Sequence, residues 1–157
     1  MPELRRLHAD DAPAVLAFEL ANRAWFTSTI SDRGDEYFEQ FADRHRAALA
    51  EQEAGECAYY LLVAEDGGIL GRFNLYDLSD GAANLGYRVG LDAVGRGLAT
   101  VAVRELCRLA AAEHGLRTLR AATSRANVAS QRVLLKTGFV PAGPAEIGLA
   151  FQRDVTP

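Results

Sequence analysis

The chain has 157 residues, of which 49% are hydrophobic and 24% charged, with a formal net charge of −4; this balance excludes wholesale disorder and suits a single domain spanning residues 1–157. A chain of this length buries roughly 70% of its unfolded surface, so two cysteines, Cys57 and Cys107, are neither enough for nor required as a disulfide framework or zinc finger. Met1-Pro2-Glu3-Leu4-Arg5 lacks the apolar core of a signal peptide, no run of about 18 apolar residues exists to span a membrane, and a reducing cytoplasm is the expected home.

Leu4–Leu7 reads as a short strand. Asp10 or Asp11 caps a helix that tolerates Pro13 in its first turn and runs to about Asn22. Arg23–Arg33 reads as a connector, unusual in carrying Trp25 and Phe26. A second helix is expected over Asp35–Glu53, where Phe38, Phe41, His45 and Leu49 recur at spacings of three and four. Tyr59–Glu65 is an apolar strand, turned by Asp66-Gly67-Gly68 into Ile69–Leu78. Ser79-Asp80-Gly81 then turns the chain into Ala83–Gly90, which makes a three-strand meander. A long helix from the glycine segment at Gly95 to about His114 is apolar almost all round, with Cys107 a core residue, and Gly115 ends it. Thr118–Ala122 is a strand, Asn127–Lys136 a short helix stopped by Gly138, and Phe139-Val140 and Leu149–Val155 supply the last strands. The order predicts a mixed α/β fold around one central sheet with about four helices.

The charge is unevenly placed. Residues 1–91 carry a net −8, whereas residues 92–136 carry +5. A basic window in an acidic chain suits a phosphate-bearing ligand, or simply a solvated helix face. Nucleic acid is not expected as a partner, because no basic stripe is interleaved with aromatics. Within the window, Gly95, Gly97 and Ala99 follow a strand and open a helix. A helix start presents unpaired N–H groups and the positive end of a dipole, and glycines ahead of it let a phosphate approach the backbone. No Gly-Lys-Ser/Thr follows, which excludes a Walker loop. The third glycine position of a dinucleotide fingerprint falls on Thr100, and no ribose-binding acid follows.

Thirty residues on, Asn127, Ser130, Leu134, Lys136, Gly138 and Phe139 form an N-x-x-S-x-x-x-L-x-K-x-G-F pattern. Together with the glycine segment, this pattern resembles the GNAT superfamily of N-acetyltransferases, and within it the RimJ/RimL-type ribosomal-protein N-terminal acetyltransferases. Leu85-Gly86-Tyr87-Arg88-Val89 resembles the family strand that splays from its neighbour and hydrogen-bonds the pantetheine arm. Gly95, Arg96, Gly97, Leu98, Ala99 and Thr100 resemble its pyrophosphate loop, and Glu19-x-x-Asn22-Arg23-x-x-Phe26 resembles the segment that walls the acceptor site. The resemblance implies a mostly antiparallel sheet splayed at the cofactor site. It also implies acetyl-CoA as co-substrate, cofactor contacts from Tyr87, Arg88, Val89, the 95–100 loop, Asn127 and Ser130, and acceptor contacts from Asn22, Arg23 and Phe26. Two positions depart from the family: Val94 replaces the usual Gln or Arg at the loop start, and Asn84 replaces an acid before the Leu-Gly-Tyr strand.

The chemistry sets its own requirements. An amine attacks a thioester only when neutral, so a base or a water chain must take its proton. The oxyanion needs donors, for which backbone N–H groups near Val89 are candidates. The thiolate needs a proton donor. Leu134, at the position of the family's Tyr, cannot donate; the branch resemblance assigns that role to Ser130, one helical turn earlier on the same face. As a base, Glu19 is the candidate, with Asp77 and Asp80 at the second hairpin as others, each also readable as a surface or capping acid. No His/Cys/Asp cluster has metal-ligand spacing. The leading expectation is an enzyme that acetylates a primary amine, either a protein N-terminus or a small molecule, as a monomer or homodimer. The alternative is an acyl-CoA-binding or interaction domain that keeps the fold without turnover.

Overall fold

A computed structural model describes residues 1–156. Strand β1 (Glu3–Arg6) and a 3-10 turn at Ala9–Asp11 lead into helix α1 (Ala12–Ala21), with Pro13 in its first turn, where the missing N–H would have had no helical partner. Helix α2 (Arg23–Thr27) follows at once, inside the segment expected to be a connector. The helix expected over 35–53 is divided at Gln40 into α3 (Asp35–Glu39) and α4 (Phe41–Glu53), because Gln40 has left helical geometry at φ −100°, ψ 17°. Tyr37 and Phe41 on either side of the break enter the core with Leu7, Val15 and Leu61, and Phe38 lies against the Arg23 guanidinium at 4.5 Å. These two differences turn the four expected helices into six.

Strands β2 (Ala58–Val63), β3 (Ile69–Ser79) and β4 (Ala82–Val89) form the expected meander. Asp80 and Gly81 join β3 to β4 at φ 53° and 77°, the left-handed pair required by a two-residue type I′ hairpin. Helix α5 (Leu98–Ala112), strand β5 (Thr118–Thr123), helix α6 (Val128–Lys136) and the hairpin of β6 (Val140–Ala145) and β7 (Gly148–Asp154) complete the chain. The seven strands form one sheet in the order β1-β2-β3-β4-β5-β7-β6. Only β4 and β5 pair in parallel; the other neighbours are antiparallel. Pro141 and Pro144 lie on β6 at the sheet edge, where a missing N–H is tolerated.

Alternation along β3 divides the core between the two faces of the sheet. Phe73 and Leu75 face α5 and pack with Leu85, Val103, Leu106 and Leu119, each such buried side chain contributing about 1.5–3 kcal/mol. Arg72 and Asn74 face the opposite layer, built from α1, α3 and α4.

The site is created where the sheet comes apart. β4 pairs with β5 only from Ala82 to Asn84, against Thr118 to Arg120. Beyond that, β4 continues to Val89 paired with β3, and β5 continues to Thr123 paired with β7. The two strands diverge in a V, and the β4 edge from Leu85 to Val89 has no strand partner on the β5 side.

Candidate active site in the cleft of the sheet

The mouth of the V on the α5 side is a cavity of about 270 Å³ lined by Trp25, Phe26, Tyr87, Arg88, Val89, Val94, Gly95, Gly97, Leu98, Ala99, Thr100, Asn127 and Ser130. Gly95 and Gly97 have φ of 76° and 72°, a backbone that L side chains rarely adopt. A Cβ added at either would meet no atom within 4 Å, so these positions border open space. Gly97 is the N-cap of α5 and no side chain caps the helix. The N–H groups of Leu98, Ala99 and Thr100 are therefore free to bind an anion at the positive end of a 15-residue helix. Arg96 is exposed and does not line this cavity.

A second cavity of about 390 Å³ adjoins it, lined by Thr29, Ile30, Ser31, Leu85, Gly86, Tyr87, Thr123, Ser124, Asn127, Ser130, Leu134 and Ile147. The two share Thr29, Ile30, Tyr87, Asn127 and Ser130, so a molecule in one can meet a molecule in the other at these side chains. Asn127 caps α6, its side-chain oxygen accepting from the Ser130 N–H at 3.2 Å, which places Ser130 in the first turn facing the cleft. The Tyr87 hydroxyl donates to Ser130 Oγ at 3.2 Å. Burial pushes the Tyr87 hydroxyl above its usual value, against the opposing pull of Ser130, so it is protonated and a donor at neutral pH. With its oxygen accepting from Tyr87, Ser130 has its own proton free to donate into the cleft. Tyr87 is held by stacking on Phe73, ring centroids 5.3 Å apart.

The N-terminal candidates take other places. Glu19 is 1% exposed and is held by Arg33 at 2.9 Å, Arg72 at 2.8 Å and Arg88 at 3.6 Å. Burial alone would raise its pKa, but the Arg33 hydrogen bond and the charges of Arg33 and Arg72 outweigh it and hold the carboxyl below its ordinary 4.5. A carboxylate so paired has its oxygens committed to guanidinium groups, and it lines neither cleft cavity. The structure thus places Glu19, the expected base, as the counter-ion of an arginine cluster beneath the site. Asn22 donates to the Phe18 carbonyl at 2.9 Å and accepts from the Leu91 N–H at 2.9 Å, clipping α1 to the loop before α5. Arg23 pairs with Asp32 and Asp35 and closes the segment between α2 and α3. Neither of these expected acceptor contacts lines the two cavities. Phe26 does line it, but as a buried ring on Phe18 with the Arg88 guanidinium over its face at 5.0 Å. Asp77 and Asp80 lie at the β3–β4 hairpin, away from both cavities.

Several lining groups carry no signal in the sequence. Thr29 and Ser31 come from the segment after α2, and Thr123 and Ser124 from the end of β5. Trp25 stands out by composition alone; its indole N–H donates to the Val89 carbonyl at 3.1 Å, tying α2 to the open edge of β4.

A splayed sheet with an uncapped, glycine-led helix on one arm and a hydroxyl pair at the junction is the architecture of an acyl-CoA-dependent transferase. The sequence profile of the Acetyltransferase (GNAT) domain matches residues 3–140, and the chain belongs to that family. It is 29% identical over 148 residues to the probable N-acetyltransferase YjcK of Bacillus subtilis (strain 168), covering 90% of this chain and 82% of the relative. Its fold superposes on ribosomal-protein-S5-alanine acetyltransferase from Vibrio fischeri with a TM-score of 0.90 at 19% identity, over 98% of this chain and 93% of the other. It also superposes on spermidine N-acetyltransferase from Vibrio cholerae, solved with CoA and spermine, with a TM-score of 0.82 at 14% identity, over 98% and 95% of the two chains.

Proposed function

We propose that the protein transfers an acetyl group from acetyl-CoA to the α-amine of a peptide or protein N-terminus, in a ternary complex formed across the cleft. The observation that carries this reading is the meeting of the two cavities at Tyr87 and Ser130. Acetyl-CoA supplies the acyl group as a reactive thioester. The chain's residues fit it: the free N–H groups of Leu98, Ala99 and Thr100 beside Gly95 and Gly97 suit a pyrophosphate, and the unpaired β4 edge offers backbone groups to an amide-bearing arm. Ser130 holds a proton at Oγ for the sulfur that leaves and recovers one from Tyr87, which is reprotonated from the water that takes the amine's proton. Asn127 acts through Ser130, by fixing the first turn of α6.

The 390 Å³ cavity receives the amine. Thr29, Ser31, Thr123 and Ser124 line it with hydroxyls, and none of its lining residues is a carboxylate or imidazole. The proton therefore leaves through water bound to these hydroxyls, without a strong side-chain base. This favours an α-amine, whose pKa of about 7.7–8.0 leaves a large neutral fraction near pH 7.5, over an alkyl amine with a pKa near 10.4. A polyamine would also find no counter-charge in this wall. The resemblance to the ribosomal-protein branch points to the same acceptor class. The buried free thiols of Cys57 and Cys107 suit a reducing cytoplasm.

The test is free-thiol release from acetyl-CoA with a panel of peptides, spermidine and an aminoglycoside. Peptides with a free N-terminus should turn over and their N-acetylated forms should not. Preference for spermidine would overturn the acceptor assignment. Acetyl-CoA binding without thiol release from any amine would overturn catalysis and leave a binding domain. Gly97→Glu separates the cofactor side: the side chain enters the open space beside the helix start with a like charge, and acetyl-CoA affinity should fall at least about 100-fold in calorimetry.

A further inference from the structure

On the face of the sheet turned away from α5, a third cavity of about 200 Å³ lies between α3, α4 and strands β2 and β3. Its wall includes Arg33, Arg44, Arg72, His45, Asn74 and Tyr37, and none of its residues lines the acetyl-transfer cleft. Among the described residues, three buried side-chain polar atoms have no hydrogen-bond partner: His45 Nδ1, Arg72 Nε and Asn74 Oδ1. All three belong to this one cavity. Buried polar atoms are seldom left unpaired, because each then keeps the full penalty of leaving water.

The pairing of each side chain fixes what remains to be satisfied. His45 is 6% exposed and its Nε2 lies 3.0 Å from the His8 carbonyl; a carbonyl only accepts, so Nε2 carries a hydrogen and Nδ1 is left to face the cavity, where it can accept from a ligand's donor. Arg72 spends Nη1 on Glu19 and on the Tyr37 hydroxyl, which leaves its Nε–H as a donor. Asn74 Oδ1 is a second acceptor. The charge is also unbalanced. Arg33, Arg72 and Arg88 share the single carboxylate of Glu19, and Arg44 forms no ion pair among the described residues. The wall itself holds three guanidinium groups, Arg33, Arg44 and Arg72, against one carboxylate that Arg88 on the cleft side also draws on, an excess of positive charge in a chain of net −4. Burial and the neighbouring Arg33 depress the pKa of Arg88, whereas Tyr37 and Glu19 hold that of Arg72 up against its burial. No carboxylate lines the cavity. Water can satisfy the unpaired hydrogen bonds but cannot neutralise the excess charge.

We propose that this cavity binds a small carboxylate that carries its own hydroxyl or ammonium donor, a hydroxy or amino acid, at a site separate from acetyl transfer. The carboxylate takes Arg72 Nε–H and the Arg44 guanidinium, and the ligand's donor takes Asn74 Oδ1 and His45 Nδ1. The site adjoins the cleft across the β3–β4 register: Asn74 is opposite Gly86, and Arg72 is opposite Arg88, both β4 residues that border the cleft cavities.

Isothermal calorimetry on the intact protein, at constant ionic strength, tests this with malate, succinate and inorganic phosphate. Malate should bind saturably and succinate, which lacks the hydroxyl, about tenfold more weakly. Arg44→Gln changes an exposed residue and should leave folding and acetyl-CoA binding intact while weakening malate at least about tenfold. Asn74→Leu, with folding verified by circular dichroism, should abolish the preference for malate over succinate. The proposal is overturned by no saturable heat up to about 10 mM malate, by equal malate affinity in the Arg44→Gln protein, or by tighter binding of phosphate than of malate. Because acetyl-CoA binding is measured on the same samples, failure here is distinguishable from failure of the acetyltransferase reading.

Discussion

Replacing Glu19 by Gln should be the most damaging single-atom exchange in the protein. The side chain is 1% exposed, and its two oxygens serve Arg33, Arg72 and Arg88 at 2.8–3.6 Å. An amide keeps the shape and one acceptor but removes the only negative charge in the cluster. Loss of one partner of a buried ion pair costs about 3–5 kcal/mol, which for a domain of this size lowers Tm by roughly 10–15 °C. Urea denaturation at pH 7 measures the loss. The pH dependence supplies a second reading. The folded pKa of Glu19 is held below 4.5, so its contribution is fully present above the unfolded value and is lost as pH falls through the folded one. The stability gap between wild type and Glu19→Gln should therefore narrow below pH about 4.5. Asp11, whose carboxyl is pushed up by burial but held low overall by Arg5, remains in both proteins and keeps some acid sensitivity in the variant. A loss under about 1 kcal/mol, or a gap that stays constant down to pH about 3, would refute this account. A fully folded variant with kcat reduced a thousandfold or more would restore Glu19 as the base.

Ser130→Ala should lower kcat about 100-fold with acetyl-CoA affinity nearly unchanged; a fall in affinity at constant kcat would make Ser130 a binding residue. Tyr87→Phe keeps the stack on Phe73 and should lower kcat about tenfold, with no further loss when added to Ser130→Ala, since the two act in one relay; additive losses in steady-state kinetics would separate them. Phe26→Ala should destabilise by about 3–5 kcal/mol in denaturant titration, because the ring is buried on Phe18; a change in acceptor KM alone would show it to be an acceptor contact after all. Asn127→Ala removes the α6 cap and should cost about 1 kcal/mol, with kcat falling alongside as Ser130 loses its position.

Local signals carried much of the architecture. Asp80-Gly81 demanded a tight hairpin, Asn127 a helix start, and Gly95 and Gly97 a loop that bends where other residues would strain; each acts within a few residues of itself. The break at Gln40 was invisible because the apolar spacing of Phe38, Phe41 and His45 runs through it, and the division serves packing against Leu7 and Leu61, far away in sequence. Helix α2 was hidden for the same reason, since its anchors are the Val89 carbonyl and the Asp32 and Asp35 carboxylates. Glu19 is the clearest case. Its neighbours in sequence suggest a cleft residue, whereas its role is set by Arg72, 53 residues onward, and by Arg88. Tyr87 and Ser130 were legible separately as site residues. Their bond, across 43 positions, required the fold.

The three-rung parallel seam between Ala82–Asn84 and Thr118–Arg120 makes the sheet a pair of jaws with one short pivot. The Gly81 carbonyl reinforces that pivot, accepting from both the Arg117 and Thr118 N–H groups at 2.7 and 3.1 Å. Beyond it, the strand on each jaw is braced from behind by its own antiparallel partner, β3 or β7, rather than by the opposite jaw. Each jaw therefore keeps its own shape, and the core under α5, which takes Leu85 from one jaw and Leu119 from the other, holds the angle between them. A ligand lodged between them works as a bolt, touching Tyr87 on the β4 jaw and Thr123 on the β5 jaw. Its grip should slow amide exchange along Leu85–Val89, the edge it covers.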